Sequence, residues 1–242
     1  ILSKGNFFVS GIPFLLKNYK NNLNLSFSMT PKQTRTLFHL NGWKKIIGFH
    51  TRNLPHMGHQ FIQKKALQNI NADCLFISPL SQSKKPGDFK SKIIIKAYNE
   101  LIKSKNYKPY SVLLNKFNTY PRFCGPREAV FTAICRLNYG CSHFIIGRDH
   151  SGVGTYYTSE ATEEFFKNVD ISIELMKFNE IIYNPTNKNY YELFSKKRAI
   201  GSMSISATIL RNEIKTGVFS NNYLISNEVY KVLKKEIKKR NI

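Results

Sequence analysis

Residues 50–59 read HTRNLPHMGH and gather three of the chain's six histidines, an arginine and an asparagine. Imidazole, guanidinium and carboxamide groups all donate hydrogen bonds to anions, and Arg52 adds a planar fork suited to sulfate, phosphate or carboxylate. His56 and His59 stand three residues apart, so near a helix start both rings can face one spot. Gly58 between them lets a ligand approach the backbone, and the helix N-terminus offers free N–H groups to an anion. The stretch reads as a triphosphate cradle. Zinc held by His56 and His59 would want a third acidic or thiol ligand that no obvious spacing supplies, so no tightly bound metal is expected. Two later stretches have the same character. SHFIIGRDH, residues 142–150, ends in Gly147, Arg148, Asp149 and His150 and is followed by Ser151. ISATILR, residues 205–211, offers Ser206, Thr208 and Arg211, with helix capping as the alternative task of the hydroxyls.

These groups need elements to hold them. TPKQTRTLFHLNG is expected as a helix with Thr30 as N-cap, Pro31 in its first turn and Gly42 past its end. KKIIGF, ADCLFISPL, YSVLLNKF, SHFII and ISIELMKF read as strands. MGHQFIQKKALQNI, FKSKIIIKAYNELIKS, GPREAVFTAICRLNYG and TEEFFKNV read as the helices between them. Apolar strands alternating with helices imply an α/β fold, a parallel sheet wrapped by helices. Ligands of such sheets bind beyond the carboxyl ends of the strands, near the point where strand order reverses. HTRNLPHMGH and the Gly147–Ser151 loop both fall at such ends. Residues 1–28 read as a short β-rich leader. SNEVYKVLKKEIKKR reads as a packing helix capped by Ser226 or Asn227, with Val229, Val232, Leu233 and Ile237 on one stripe.

Composition narrows the rest. With 242 residues, 42% hydrophobic and 18 Phe, the chain can bury a sizeable core, which excludes a disordered protein. No apolar run is long enough to span a bilayer, and no signal peptide is evident, so a cytoplasmic protein is expected. Cys74, Cys124, Cys135 and Cys141 form no close pairs and read as reduced thiols. The net charge of +22 comes from 37 Lys and Arg against 15 Asp and Glu. Lysine dominates and is spread along the chain, where a dedicated nucleic-acid binder would more often concentrate Arg and aromatics on one element, and attraction of a small polyanion into a cleft fits the charge equally well. Ile1 in place of an initiating Met is expected of a processed product or part of a longer polypeptide.

The His-x-Gly-His at residues 56–59 and the Ile-Ser-x-Thr-x-x-Arg at residues 205–211 resemble the two phosphate-binding marks of the nucleotidylyltransferase superfamily. MTPKQTRTLFHLNGWKKIIGFHTRN, PLSQSKKPGDFKSKIIIKAY, FCGPREAVFTAICRLNYGCSHFIIGRDHSGVGTYY and ISATILRNEIKTG then resemble, in order and spacing, the catalytic domain of the ATP sulfurylase (sulfate adenylyltransferase) family. The resemblance covers roughly residues 5–235. It implies a Rossmann-like fold over residues 29–200, a C-terminal helical segment over 201–242 that completes the nucleotide site, and a remnant of a PUA-like domain in residues 1–28. No Gly-x-x-x-x-Gly-Lys-Ser/Thr stands in the sequence, so a fused adenylylsulfate kinase is not expected here.

The implied reaction is attack of sulfate on the α-phosphorus of ATP with release of pyrophosphate, Mg²⁺ arriving with the nucleotide. Arg52, Asn53, His56, His59 and Arg148 are the implied catalytic residues. Asn53, His56, Gly58, His59, Gly147, Asp149, His150, Ser206, Thr208 and Arg211 would bind the nucleotide, and a turn at Ile181 and Ile182 would meet the adenine. His50, Arg52 and Ser151 would hold the oxyanion. A homo-oligomer is also implied.

Two positions depart from the family pattern, and both touch the acceptor pocket. The first motif usually reads Gln-x-Arg-Asn-Pro-x-His; His50 replaces the Gln, and Leu54 followed by Pro55 replaces the Pro. Ser151 stands where Ala is common. His50 can replace an amide donor, or it can re-tune the pocket for phosphate, a phosphonate or an organic phosphate. A nucleotidyltransferase using another nucleotide such as CTP, and an inactive binding protein that keeps the fold, are the alternatives.

Overall fold

The computed structural model describes residues 11–12, 28–81, 88–147, 157–195, 198–216 and 223–238. The expected β-rich leader lies almost wholly outside them.

Helix α1 (Pro31–Leu40) begins as expected: Thr30 and Gln33 form a reciprocal capping box and Pro31 occupies the first turn. Five strands then alternate with helices: β1 (Ile46–Thr51), α2 (Met57–Asn69), β2 (Cys74–Pro79), α3 (Ser91–Lys103), β3 (Ser111–Leu114), α4 (Pro126–Asn138), β4 (His143–Ile146), α5 (Ser159–Lys167) and β5 (Glu174–Lys177). All four strand pairings are parallel. The sheet order is β3-β2-β1-β4-β5. The chain therefore winds outward from β1 to β3, returns to lay β4 on the other side of β1, and reverses direction there. That reversal opens a crevice at the carboxyl ends of β1 and β4.

Alternation along the strands divides the core between the two faces. Ile47, Phe49, Leu75 and Ile77 face α2, α3 and the C-terminal helix, while Ile46, Cys74, Phe76 and Phe144 face α1, α4 and α5. Each such side chain buried in full contributes roughly 1.5–3 kcal/mol. Gly48 breaks the apolar run of β1 for a steric reason: a Cβ there would lie 2.9 Å from the Arg136 Cγ crossing the strand from α4.

Beyond β5 the structure departs from expectation. The turn anticipated at Ile181 and Ile182 is a strand, β6 (Ile181–Asn184), pairing antiparallel with β7 (Asn189–Glu192) and β8 (Met203–Ser204). The turn falls between β6 and β7, around Pro185, Thr186 and Asn187, where turn residues concentrate. Residues 203–204 thereby join a sheet begun at residue 181. The last helices, α6 (Ala207–Thr216) and α7 (Asn227–Lys238), follow. α7 buries Val229, Val232 and Leu233, as its stripe predicts, and a Lys96–Glu236 ion pair ties it to α3. Ile237, expected on the same stripe, is 38% exposed.

Candidate functional site

β1 ends at Thr51, whose hydroxyl accepts a hydrogen bond from the Asn53 N–H at 3.1 Å. That small turn sends Arg52 and Asn53 over the crevice before the chain re-enters at Leu54, which is fully buried. His56 is the N-cap of α2: its backbone is extended, and its Nδ1 accepts from the His59 N–H at 3.2 Å. An imidazole nitrogen does here what a Ser or Asp oxygen usually does. The bond also fixes the tautomer, leaving the proton of a neutral His56 on Nε2.

The His56 and His59 rings stack with centroids 3.8 Å apart. Burial holds His56 well below the usual imidazole range, and His59 and Arg211 beside it push the same way. Burial also lowers His59, to about 4, against a smaller opposing pull from the Leu54 backbone. Both rings are thus neutral at physiological pH, the one N–H of His59 being engaged by the Leu54 backbone, and cationic charge in the site belongs to arginine. Gly58 serves the pair: a Cβ there would meet the His56 Nδ1 at 3.1 Å and Cε1 at 3.3 Å. Of the free N–H groups in the first turn of α2, Met57 donates to the Leu224 carbonyl and His59 to His56. Gly58, which lines the crevice, supplies the amide that neither bond uses.

The crevice has a volume of about 300 Å³. His50, Arg52, Asn53, His56, Gly58, His59, Gly147 and Ser206 all line it, so residues from three separate stretches of sequence meet there. The His50 ring stands edge-on to Phe117, 5.6 Å between centroids. Ser206 caps α6, its hydroxyl accepting from the Ile209 N–H at 3.2 Å, so the capping role is met in the structure. Thr208 is exposed on α6 and does not line the crevice. Ile182 lies fully buried behind the wall, with Ile181 and residues 178–180 forming the surface. Arg148, Asp149, His150 and Ser151 lie outside the described residues.

Arg211, on α6, does not line the crevice but stands behind Asn53. Its Nη2 donates to the Asn53 Oδ1 at 2.7 Å and lies 3.3 Å from the Asp88 Oδ1. The Arg52 Nη1 donates to the other oxygen of Asp88 at 3.0 Å, and its guanidinium lies 4.9 Å from the Phe123 ring centre. Sequence reasoning did not single out Asp88; three residues before α3, an acid reads as a helix-start residue. Glu128 was also missed. Its carboxylate accepts from the Arg122 and Cys124 N–H groups at 2.9 and 3.2 Å and so shapes the loop that presents Phe123.

The ATP-sulfurylase family profile matches residues 26–236. The chain is 39% identical over 237 residues to a sulfate adenylyltransferase of Pyrococcus abyssi, covering 97% of this chain and 61% of that protein. It is 41% identical over 209 residues to a sulfate adenylyltransferase of Ignicoccus hospitalis, covering 86% and 54%. The chain therefore spans between half and two thirds of the length of these curated relatives. Among solved structures, the hexameric APS kinase from Thiobacillus denitrificans superimposes with a TM-score of 0.64 at 18% identity, over 89% of this chain and 41% of that one. A bifunctional NMN adenylyltransferase/ADP ribose pyrophosphatase from Francisella tularensis gives 0.50 at 15% identity, over 81% and 50%. Both share the fold.

Proposed function

This chain belongs to the ATP-sulfurylase family, and on that premise we propose that its crevice binds ATP and sulfate and forms adenylyl sulfate and pyrophosphate. One observation carries the reading: Arg52 and a pair of neutral imidazoles line the crevice where strand order reverses, with Arg211 just behind them holding the Asn53 carboxamide. A transfer between two anions needs charge neutralised and geometry fixed more than it needs a proton moved. Sulfate is fully ionised at neutral pH and requires no general base. It attacks the α-phosphorus, the α–β phosphoanhydride bond breaks, and pyrophosphate departs as the leaving group.

Arg52 and Arg211 offset the charge that builds on the phosphates. The Nε2–H of His56 and the Gly58 amide donate to them without adding a cation that would slow release. Arg148, Asp149, His150 and Ser151 are assigned by the family motif to complete the nucleotide and oxyanion contacts. Mg²⁺ comes with ATP and supplies further charge neutralisation at the phosphates. The protein's own donors fit that division, because Glu128 and Glu180, the carboxylates lining the crevice, are engaged by the Arg122 and Cys124 amides and by Arg198. The same family assignment implies a homo-oligomer, and the sequence's lack of a membrane run or signal peptide underlies the cytoplasmic location proposed with it. All four cysteines are free, and among the described residues no helix is long and apolar enough to cross a membrane.

His50 favours a second reading. Its ring takes the place of an amide beside the oxyanion position, so the acceptor can be phosphate, a phosphonate or an organic phosphate. Pyrophosphate release measured with MgATP, with and without sulfate, tests both, with phosphate, simple phosphonates and CTP in parallel. Sulfate-dependent release with ATP supports adenylyl sulfate formation. Release only with another acceptor or nucleotide transfers the assignment to that substrate, and ATP binding without turnover under any condition removes it.

A further inference from the structure

Asp88 has no place in the chemistry above, yet its side chain is 4% exposed and sits at the centre of the charged network. One oxygen takes the Arg52 Nη1 and the other faces the Arg211 Nη2, which in turn holds the Asn53 carboxamide. A single carboxylate therefore connects the loop after β1, the start of α3 and α6. Two guanidiniums this close repel each other. Burial lowers Arg211 most, Asp88 pulls it back up, and Arg52 lowers it further.

The donors that Asp88 does not use are informative. The Arg211 Nε is buried and has no hydrogen-bond partner among the described residues. A buried unpaired donor is unfavourable, and a ligand oxygen that reached it would remove that cost. With one nitrogen of each fork occupied by Asp88, the remaining N–H groups are held in fixed planes.

We propose that Asp88 is a positioning residue for the anion site: it holds Arg52 and Arg211 in one orientation, with their remaining donors directed at the bound polyanion, and limits the net charge of the arginine pair to +1. The second part matters for turnover. An uncompensated pair would attract pyrophosphate more strongly and orient it less well. This inference rests on the reading that the crevice binds phosphates and an oxyanion.

The test compares the wild-type chain with Asp88→Asn and Asp88→Glu, each corrected for its folded fraction from thermal melts. One readout is pyrophosphate release with MgATP and sulfate. The other is calorimetric binding of inorganic pyrophosphate across a range of salt, which needs no turnover. For Asp88→Asn, kcat is expected to fall by about 10- to 100-fold, the size of a misplacement effect, while KM for sulfate moves far less. Pyrophosphate is expected to bind about fivefold tighter at low salt, as one added unit charge gives in a water-like dielectric, and with a steeper salt dependence. Asp88→Glu keeps the charge, so it should lose kcat while retaining the wild-type salt dependence. Unchanged pyrophosphate affinity and salt dependence in Asp88→Asn overturns the proposal, as does a turnover loss that tracks only the loss of folded protein. If the wild-type chain releases no pyrophosphate with any acceptor, the functional reading fails, and the calorimetric comparison still decides the role of Asp88.

Discussion

His56 and His59 stack face to face, with 25° between their ring planes, and the Nδ1 of the first caps the helix that carries the second. The pair is therefore at once a helix cap and a donor site. Its protonation carries a stability cost. Both rings are held below the ordinary value of 6.5, His59 at about 4. In the unfolded chain they bind protons near 6.5. As pH falls from 6.5 toward 4, the unfolded state takes up protons that the native state refuses, and stability drops through that window. Thermal melts should show a falling Tm between these pH values. Replacing His56 and His59 together by Asn should flatten that slope, and a slope unchanged in the double variant would contradict the buried neutral pair.

Arg52 contributes a fork rather than a point charge. Its Nη1 is fixed on Asp88 and its face lies over Phe123, geometry that a lysine ammonium cannot reproduce. Arg52→Lys should therefore lower kcat/KM for pyrophosphate release by about 10²–10³, the scale of losing one preorganised donor, although the charge is kept. Activity within about threefold of wild type would mean that charge alone matters at this position.

Gly58→Ala separates stability from activity. Alanine is better than glycine in a helix by roughly 0.5–1 kcal/mol. The added Cβ would press on the His56 ring at 3.1 and 3.3 Å and touch Ile205 at 3.5 Å. The expected result is a Tm close to wild type with kcat reduced about tenfold or more, as a displaced donor predicts. Calorimetry and pyrophosphate release on the same sample read the two effects.

The parts of this molecule that sequence made legible are those with local causes. Thr30, Gln33 and Pro31 announce α1 by capping chemistry alone, and the alternation of Ile46, Ile47 and Phe49 requires a strand covered on both faces. The spacing of His56 and His59 on one helix turn is likewise local. β6 to β8 escaped because β8 has two residues and takes its identity from a partner, Ile182 to Ser204, across a long stretch of chain. Asp88 escaped for the same reason. A carboxylate that joins Arg52, 36 residues away, to a guanidinium held by Asn53 across 158 residues leaves no periodicity to read. Gly58 was expected to admit a ligand to the backbone; what the structure adds is the His56 ring, which a Cβ at this position would press.

Arg136 gives the clearest stability prediction. It is fully buried, its three guanidinium nitrogens have no hydrogen-bond partner among the described residues, and it lies against Phe117 at 4.1 Å, with Tyr139 and Phe76 at 5.4 and 5.8 Å. Burial lowers its pKa, and Cys141, Cys135 and Tyr139 pull weakly the other way. Three aromatic rings offset part of the desolvation cost, at about 2 kcal/mol for a desolvated contact of this kind, and among the described residues no carboxylate completes the balance. Replacing a buried ion by an apolar side chain of similar length is often neutral or stabilising. Arg136→Met should therefore leave Tm unchanged or raise it, because methionine can fill the channel past Gly48 without an unpaired charge. Arg136→Ala empties the same channel and should cost about 3–5 kcal/mol, as large-to-small changes in a close-packed core do. Denaturant melts of both variants separate packing from charge. A methionine variant as unstable as the alanine one would show that the cation itself, through its aromatic contacts, holds α4 against the sheet.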